Sequence, residues 1–148
     1  MIIRPARDED QAEWLRMRQC LWPNATEETH RKEIEEILAE NETNQALVAA
    51  REAGGLAGFL EASLRKYADG CETSPVGYIE GWYVDPDVRR SRVGSELVKA
   101  AESWAFRQGC REMASDCLID NTVSLKAHLS LGYAEVERAI RFCKRLPT

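Results

Sequence analysis

Apolar and polar positions along the first forty residues follow the period of amphipathic helices. Apolar side chains recur at steps of three and four residues in 9–22 and again in 29–40, so each stretch predicts a helix with one buried face. Asp8 and Thr26 are typical N-caps for these two helices. A short apolar run at residues 2–6 contains a proline and predicts an edge strand before them.

The middle of the chain changes to runs that are rich in β-branched and aromatic residues. Residues 45–52 and 56–66 are joined by Ala53-Gly54-Gly55, which is typical of a hairpin turn, and Val76–Val84 is a third such run. These runs predict three antiparallel strands. The helical period then returns between Arg92 and Gly109 and predicts a central helix that ends at the glycine.

The C-terminal third predicts three further elements. A strand is expected near 111–117, a helix over 121–131 that Asn121 caps and Gly132 ends, and a last strand across 135–145. The resulting order is βααβββαβαβ, which places the chain in the α/β (α+β) class.

Composition is that of one globular domain. The chain has 148 residues, 44% of them hydrophobic and 30% charged, and no repeat or linker divides residues 1–148. A net charge of −5 disfavours a nucleic-acid partner and suits a cationic one. Because no apolar run is long enough to span a bilayer and no secretory stretch opens the sequence, we expect no membrane partner and a cytoplasmic protein.

The cysteines and histidines indicate neither a disulfide framework nor a metal site. Five cysteines are scattered without a C-x-x-C pair, and there are only two histidines. We therefore expect reduced thiols that lie mostly in the core, and no bound metal. His30, among charged neighbours in the second helix, is expected to be solvated.

Three arginines gather where the central helix begins, in the stretch Val88–Ser95. A helix start presents unpaired backbone N–H groups and the positive end of the helix dipole, and adjacent guanidiniums make it a trap for anions. The stretch predicts a phosphate site. The alternative is a solvated helix start.

This stretch, between a strand and the central helix, resembles the Gcn5-related N-acetyltransferase (GNAT) superfamily. In that superfamily a loop of pattern Gln/Arg-x-x-Gly-x-Gly/Ala holds the acetyl-coenzyme A pyrophosphate. Here Arg89 takes the first position and Gly94 the last, but Arg92 stands where the first glycine is expected, which requires a negative φ there. The resemblance implies a mixed, mostly antiparallel sheet flanked by helices. It also implies coenzyme contacts from Trp82, Tyr83, Val84, Arg89, Arg90, Ser91, Arg92, Val93, Gly94, Ser95 and Asn121.

Five further segments resemble, in the same order, the aminoglycoside 6′-N-acetyltransferases. They are residues 21–23, 71–76, 80–81, 109–116 and 131–138. The resemblance implies acetyl-coenzyme A as donor, the 6′-amine of an aminoglycoside antibiotic as acceptor, resistance as the outcome, direct transfer without a covalent enzyme intermediate, and a homodimer. It also implies that the strand at 80–84 separates from the strand at 113–116, so that a backbone N–H near Val84 polarises the thioester oxygen.

The family match implies roles for acidic and aromatic side chains at the acceptor. Glu80 is our first choice of general base, on a strand face shared with Tyr78 and Trp82 whose rings desolvate it; the alternative is a carboxylate that only pairs with the ligand. Asp116 and Glu137 bind ammonium groups in this reading.

The resemblance also implies roles for two aromatic residues, Trp22 and Tyr67, as walls for the sugar rings, although a tryptophan at a helix end is also typical of a core. Trp14 and Trp104 are expected in the core.

His128 is the candidate general acid. Many members of the superfamily have a tyrosine at this position, and an imidazole can also donate a proton near neutral pH. A packed or surface helical histidine is the alternative.

Two other functions remain open at this point. In the first, the chain is an acetyltransferase of the same superfamily whose acceptor is a polyamine or a protein amine. In the second the chain is a non-catalytic module that binds acyl-coenzyme A.

Overall fold

Five strands form one mixed sheet in this computed structural model, which describes all residues from Met1 to Thr148. The chain divides into two units, Met1–Asp116 and Cys117–Thr148. The first unit holds the whole sheet and three helices, and the second holds one helix. The strands are β1 (Ile2–Pro5), β2 (Asn44–Ala50), β3 (Leu56–Arg65), β4 (Val76–Val84) and β5 (Met113–Ser115); the helices are α1 (Gln11–Leu21), α2 (Glu27–Ala39), α3 (Val93–Arg107) and α4 (Thr122–Ser130).

The strands follow one another across the sheet in chain order. β1 to β4 are antiparallel, and β5 runs parallel to β4. β4 pairs with β5 only from Gly77–Met113 to Ile79–Ser115. The predicted α/β class, the mixed and mostly antiparallel sheet, and the separation of the two strands beyond residue 79 are therefore confirmed.

A β-bulge interrupts the pairing of β3 with β4. Glu61 pairs with Gly81 and Ala62 with Ile79, which leaves Glu80 as the extra residue on β4. The bulge reverses the alternation of side chains along the strand. Trp82 consequently packs against Gly94 of α3, so the prediction that it shares a face with Glu80 and Tyr78 is wrong.

Helices cover both faces of the sheet. On one face Trp14 of α1 and Ile34 of α2 pack with Phe59 of β3 in a fully buried cluster. On the other face α3 approaches the sheet closely at two glycines: a Cβ at Gly58 would lie 3.2 Å from Leu97 Cδ1, and one at Gly77 would lie 2.7 Å from Ala105 Cβ. Trp14 and Trp104 are buried as predicted.

The predicted last strand is absent. Residues 135–145 have no regular structure and are exposed, so the observed order is βααβββαβα. A strand forms only where a neighbouring edge supplies partners for its N–H and C=O groups, and alternation of side chains alone does not provide that edge.

Most of the predicted helix ends are confirmed. Thr26 Oγ1 accepts from the N–H of Thr29 at 3.1 Å, and Asn121 Oδ1 accepts from the N–H of Ser124 at 3.1 Å. Gly109 and Gly132 have φ of 96° and 93°. Asp8 is not a cap. It lies in a 3₁₀ turn, Asp8–Asp10, because the carboxylate of Asp10 accepts from the backbone N–H of Arg7 and so fixes this turn before α1.

Two expectations about burial are wrong. His30 is fully buried, because it lies one turn before Ile34 on the inward face of α2 and has polar partners inside. All five cysteines are free, but only Cys110 is buried. No helix combines the length and the apolar character needed to cross a membrane.

Candidate active site

The turn before α3 presents positive charge without internal partners. Arg89 folds back, donating from Nε to the Val84 carbonyl at 2.8 Å, with its guanidinium carbon 5.6 Å from the centre of the Tyr83 ring. Arg90 and Arg92 are exposed, and their guanidinium groups make no hydrogen bond or ion pair. Two of the three arginines are therefore available to an anion.

Several backbone N–H groups of the same turn also lack a backbone acceptor. The first N–H groups of a helix have no acceptor inside it, and here the preceding turn adds more of them. No backbone acceptor is used by the N–H groups of residues 90, 91, 92, 94 and 95. Val93 is buried, so only its backbone is within reach of a ligand, whereas Ser95 Oγ is bonded to the Arg92 carbonyl at 3.0 Å. Such N–H groups at a helix start, next to exposed guanidiniums, are the features that favour a bound anion.

The backbone angles explain why a glycine is not needed at position 92. Arg92 has φ −84°, which any residue adopts. The left-handed position is instead Arg90, with φ 63°, the one non-glycine residue of the chain with positive φ. The requirement stated for Arg92 is confirmed.

Two aspartates precede the turn, and arginines from elsewhere neutralise both. Asp85 is buried and accepts from Arg16 at 3.0 Å and from Arg51 at 3.1 Å. Arg51 also bonds Asp87 at 2.8 Å. Although burial opposes it, these guanidiniums hold the pKa of Asp85 below its usual range. The turn therefore keeps its positive charge beside two carboxylates.

On the other side of β4 a continuous set of polar contacts joins Glu80 to Asp116. Glu80 accepts from Ser63 Oγ at 2.6 Å and from Arg65 at 2.7 and 3.0 Å. The Arg65 guanidinium lies 3.5 Å from the centre of the Tyr78 ring. The Tyr78 hydroxyl donates to Asp116. The structure thus brings together the two acidic residues predicted from sequence.

Glu80 is not in the apolar surroundings that we predicted for it. About a third of its side chain (34%) is exposed, and its oxygens are bonded to Arg65 and Ser63. The bulge turns it out of the regular alternation. Tyr78 is the desolvated group: burial, with the hydrogen bond to Asp116, raises the pKa of its phenol, which stays a proton donor.

Sequence reasoning missed Arg65 and Ser63 entirely. Both lie on β3, and they face Glu80 only because the bulge sets the register between β3 and β4. Gly81 within a run of strand-forming residues is a signal for a bulge, and with it the cross-strand partners are within reach of prediction.

Trp22 lies against Gly81, the residue that follows Glu80 on β4. Its ring occupies the space over Gly81, where a Cβ would collide with it, and it packs edge-on against Phe59. The residue is half-buried, so it belongs to the core and also presents a ring surface. The core reading of Trp22 is confirmed, and its role as a wall for sugar rings stays a prediction.

Tyr67 lies in the loop before β4 and is 67% exposed, with its hydroxyl bonded to Asp69 at 3.0 Å. Glu112, which sequence reasoning missed, secures this loop. Its carboxylate accepts from the Thr73 hydroxyl and from the backbone N–H groups of Glu72 and Thr73, the latter two at 2.8 and 2.7 Å, and these bonds, that of the hydroxyl first, lower its pKa.

Three predicted site residues belong to the second unit. Asn121 caps α4. His128 lies in the last turn of α4, where its Nδ1 donates to the Ser124 carbonyl at 2.7 Å. Glu137 is exposed in the irregular C-terminal stretch, not on a strand as predicted. The structure of this unit by itself does not group the three.

The first unit therefore combines a turn that carries exposed guanidiniums, just after β4, with two carboxylates near the bulge, Glu80 on β4 and Asp116 directly after β5. Between them β4 has no partner on the β5 side. A strand edge of this kind is able to bind an extended amide-containing chain. The arrangement fits a donor with phosphates at one end and an amine acceptor at the other.

Comparisons with known proteins agree with this geometry. Residues 12–133 match the family model described as the acetyltransferase (GNAT) family. Aminoglycoside N(6′)-acetyltransferase type 1 of Klebsiella aerogenes is 44% identical over 147 residues, covering 98% of this chain and 97% of the relative. The protein of the same description from Acinetobacter haemolyticus is 42% identical, with 99% of both chains covered.

Solved structures give the same result. The apo structure of the 6′-N-acetyltransferase AAC(6′)-IG from Acinetobacter haemolyticus superposes with a TM-score of 0.92 at 40% identity, covering 99% of this chain and 100% of that one. AAC(6′)-Iy, in complex with the bisubstrate analogue CoA-S-monomethyl-acetylneamine, has a TM-score of 0.92 at 38% identity, with 98% of both chains covered. The chain belongs to the acetyltransferase (GNAT) family and, within it, to the aminoglycoside 6′-N-acetyltransferases.

Proposed function

We propose that this protein transfers the acetyl group of acetyl-coenzyme A to the 6′-amine of aminoglycoside antibiotics and so confers resistance. Both substrates are bound at once, and no covalent enzyme intermediate forms. The observation that carries the proposal is the separation of charge along β4, with free guanidiniums at the turn after it and carboxylates at the bulge. Both units act as one N-acetyltransferase domain, because the family match spans them.

The donor binds at the turn. Arg90, Arg92 and the free N–H groups hold its phosphates, because a guanidinium matches phosphate oxygens and the helix dipole favours their charge. Trp82, Tyr83 and Val84 lie along the route from the turn to Glu80, and the backbone there holds the pantetheine arm. A backbone N–H near Val84 polarises the thioester oxygen. Asn121 adds a contact to the arm.

The acceptor binds at the carboxylates. Glu80 takes a proton from the 6′-ammonium group, through a water, and so generates the neutral amine that attacks the thioester carbonyl. Asp116 and Glu137 bind other ammonium groups. Each exposed ion pair contributes only about 0.2–1 kcal/mol, so affinity for a polycation rests on several of them together. Trp22 and Tyr67 provide ring surfaces for the sugars.

The leaving thiolate of coenzyme A, with a thiol pKa of roughly 8.5, requires modest acid catalysis. His128 is the proposed acid. Because its Nδ1 donates to the Ser124 carbonyl, Nε2 is the ring nitrogen that we propose as the donor to the thiolate. We expect His128→Gln to lower kcat and to leave the KM for acetyl-coenzyme A unchanged.

We further propose a homodimer and a cytoplasmic location. Apolar side chains in the C-terminal stretch support the dimer: Ile140 is 83% exposed and Phe142 is 91% exposed. Acetyl-coenzyme A is an intracellular metabolite, which supports the location. Sedimentation of the purified protein gives the oligomeric state directly.

The test of the reaction uses kanamycin and a matched analogue that carries a hydroxyl at the 6′ position. With acetyl-coenzyme A and the wild-type protein, mass spectrometry is expected to show one added acetyl group on kanamycin and none on the analogue. Acetylation of both relocates the modification. Acetylation of spermidine with none of kanamycin supports the polyamine acceptor instead.

A further inference from the structure

We call the surface formed by Arg65, Tyr78, Glu80 and Asp116 the acceptor face. A buried polar network lies next to it and takes no part in the proposed chemistry. Arg18 of α1, His30 of α2 and Glu61 of β3 are each at most 4% exposed. Arg18 Nη1 donates to the two Glu61 oxygens at 2.9 and 3.1 Å, and Trp14 Nε1 donates to the same carboxylate at 2.8 Å. A charged pair at this depth is costly to bury and does not by itself indicate greater stability.

The hydrogen bonds of His30 fix which nitrogen carries its proton. Arg18 Nε can only donate, so His30 Nδ1 accepts from it at 3.2 Å. His30 Nε2 therefore carries the proton and donates to the Trp22 carbonyl at 3.1 Å. The histidine is a rigid connection between the buried arginine and the backbone of Trp22.

The same network holds the Trp22 ring. The Arg18 guanidinium carbon lies 4.8 Å from the centre of that ring, and His30 stacks on it with 6.4 Å between ring centres and 22° between planes. The ring also packs against Phe59 and meets Gly81, the bulge partner of Glu61. Four contacts thus set the ring plane, and the one at Gly81 comes from the strand pair that sets the direction of Glu80.

We infer that Arg18 and His30 are positioning residues for the acceptor site, because they hold Trp22 against the bulge from which Glu80 projects. This inference rests on the proposed function. Neither residue touches the substrate. Their effect is on the placement of the ring beside the carboxylate, and a small misplacement of a group that orients a substrate is sufficient to weaken its binding and slow its reaction.

The test compares three variants in steady-state kinetics with kanamycin and acetyl-coenzyme A. His30→Leu removes both hydrogen bonds, and Arg18→Lys keeps the buried charge but loses the planar group over the ring. Each is expected to raise the KM for kanamycin about tenfold and leave the KM for acetyl-coenzyme A within about twofold, since placement of the ring affects one substrate only. His30→Gln, which both accepts and donates, is expected to recover most of the loss.

The matched control is Val98→Ala, a buried truncation on α3 that lies outside the network. It is expected to lower Tm without changing the KM for kanamycin. If His30→Leu does not fold, Arg18→Lys decides the matter. The inference is overturned if Arg18→Lys and His30→Leu lower Tm as the control does while the kanamycin KM stays within twofold of wild type. Failure of the wild-type protein to acetylate kanamycin overturns the proposed function instead, and this inference with it.

Discussion

The turn after β4 and the bulge within β4 carry side chains of opposite charge, and the two sites differ in how those charges are partnered. At the turn after the strand, Arg90 and Arg92 have no internal partner, and the neighbouring aspartates are neutralised by Arg16 and Arg51. At the bulge, by contrast, Glu80 is already engaged by Arg65. In the proposed function the turn is therefore ready for the coenzyme, whereas the carboxylates must exchange an internal cation for the ammonium group of the aminoglycoside.

This difference has a consequence for affinity. Binding at the turn gains new charge-assisted hydrogen bonds without breaking existing ones. Binding at the bulge replaces the bonds between Arg65 and Glu80 by others of the same kind, so its net gain is smaller. We therefore expect the coenzyme to bind more tightly than the aminoglycoside.

The largest expected effect is at the acceptor face. Asp116→Asn and Glu80→Gln each remove a charge that faces the ammonium groups, and Glu80→Gln also removes the base. We expect kcat/KM for kanamycin to fall about 100-fold or more, as for loss of general base catalysis, with the KM for acetyl-coenzyme A unchanged. Glu35→Gln, on the exposed side of α2, makes the same change in net charge and serves as control.

Removal of both free arginines from the turn gives the complementary result. In Arg90→Ala/Arg92→Ala, two charged hydrogen-bond partners of the phosphates are lost, at about 1.5–3 kcal/mol each, so the dissociation constant for acetyl-coenzyme A rises about 100-fold or more. Thermal-shift titration measures it. Arg107→Ala, at the other end of α3, is expected to bind as wild type does; equal weakening there would mean that charge alone, not position, controls binding.

Neutralisation of the aspartates beside the turn is tested through stability. Asp85→Asn leaves two arginines short of a buried partner and is expected to lower the free energy of unfolding at pH 7 by about 3 kcal/mol. Because the pKa of Asp85 is lowered in the fold, its contribution is complete above its unfolded value of 3.8 and is lost as the pH falls through the folded value. Urea titrations at pH 7 and in acid check this; a difference from wild type that stays constant in acid contradicts it.

The smallest effects separate backbone strain from ligand contact within the turn. Arg90→Gly relieves a left-handed position and is expected to raise the free energy of unfolding by about 1 kcal/mol. Arg92→Gly loosens a residue of ordinary conformation and is expected to lower it by about 0.5–1 kcal/mol. Both weaken coenzyme binding. Shifts of Tm in the same direction would show that the backbone angles described for the turn are not those in solution.

The elements were predictable where their signal was local. The strand Val76–Val84 and the helix caps at Thr26 and Asn121 depend on neighbours in sequence, and all three are as predicted. The last strand was not predictable from residues 135–145, since strand formation depends on an edge supplied by another segment.

The sequence suggested candidate site residues but not the contacts that they make. Glu80 and Asp116 were identified by resemblance, and the structure brings them together through Tyr78 and Arg65. Arg65 became visible only with the register of β3 and β4, which the bulge sets. His30 was wrongly predicted to be solvated. Its neighbours in sequence on α2 are charged, although it lies one turn before the core residue Ile34.

The most direct test of separate sites for the coenzyme and the aminoglycoside is isothermal titration calorimetry of two double variants, each with coenzyme A and with kanamycin. Arg90→Ala/Arg92→Ala is expected to bind coenzyme A weakly and, once saturated with it, to bind kanamycin as the wild type does. Glu80→Gln/Asp116→Asn is expected to bind coenzyme A normally and kanamycin poorly. The account is contradicted if both variants lose both ligands equally, or if the arginine variant binds coenzyme A as tightly as wild type. Either result would mean that the turn and the carboxylates do not bind separate substrates.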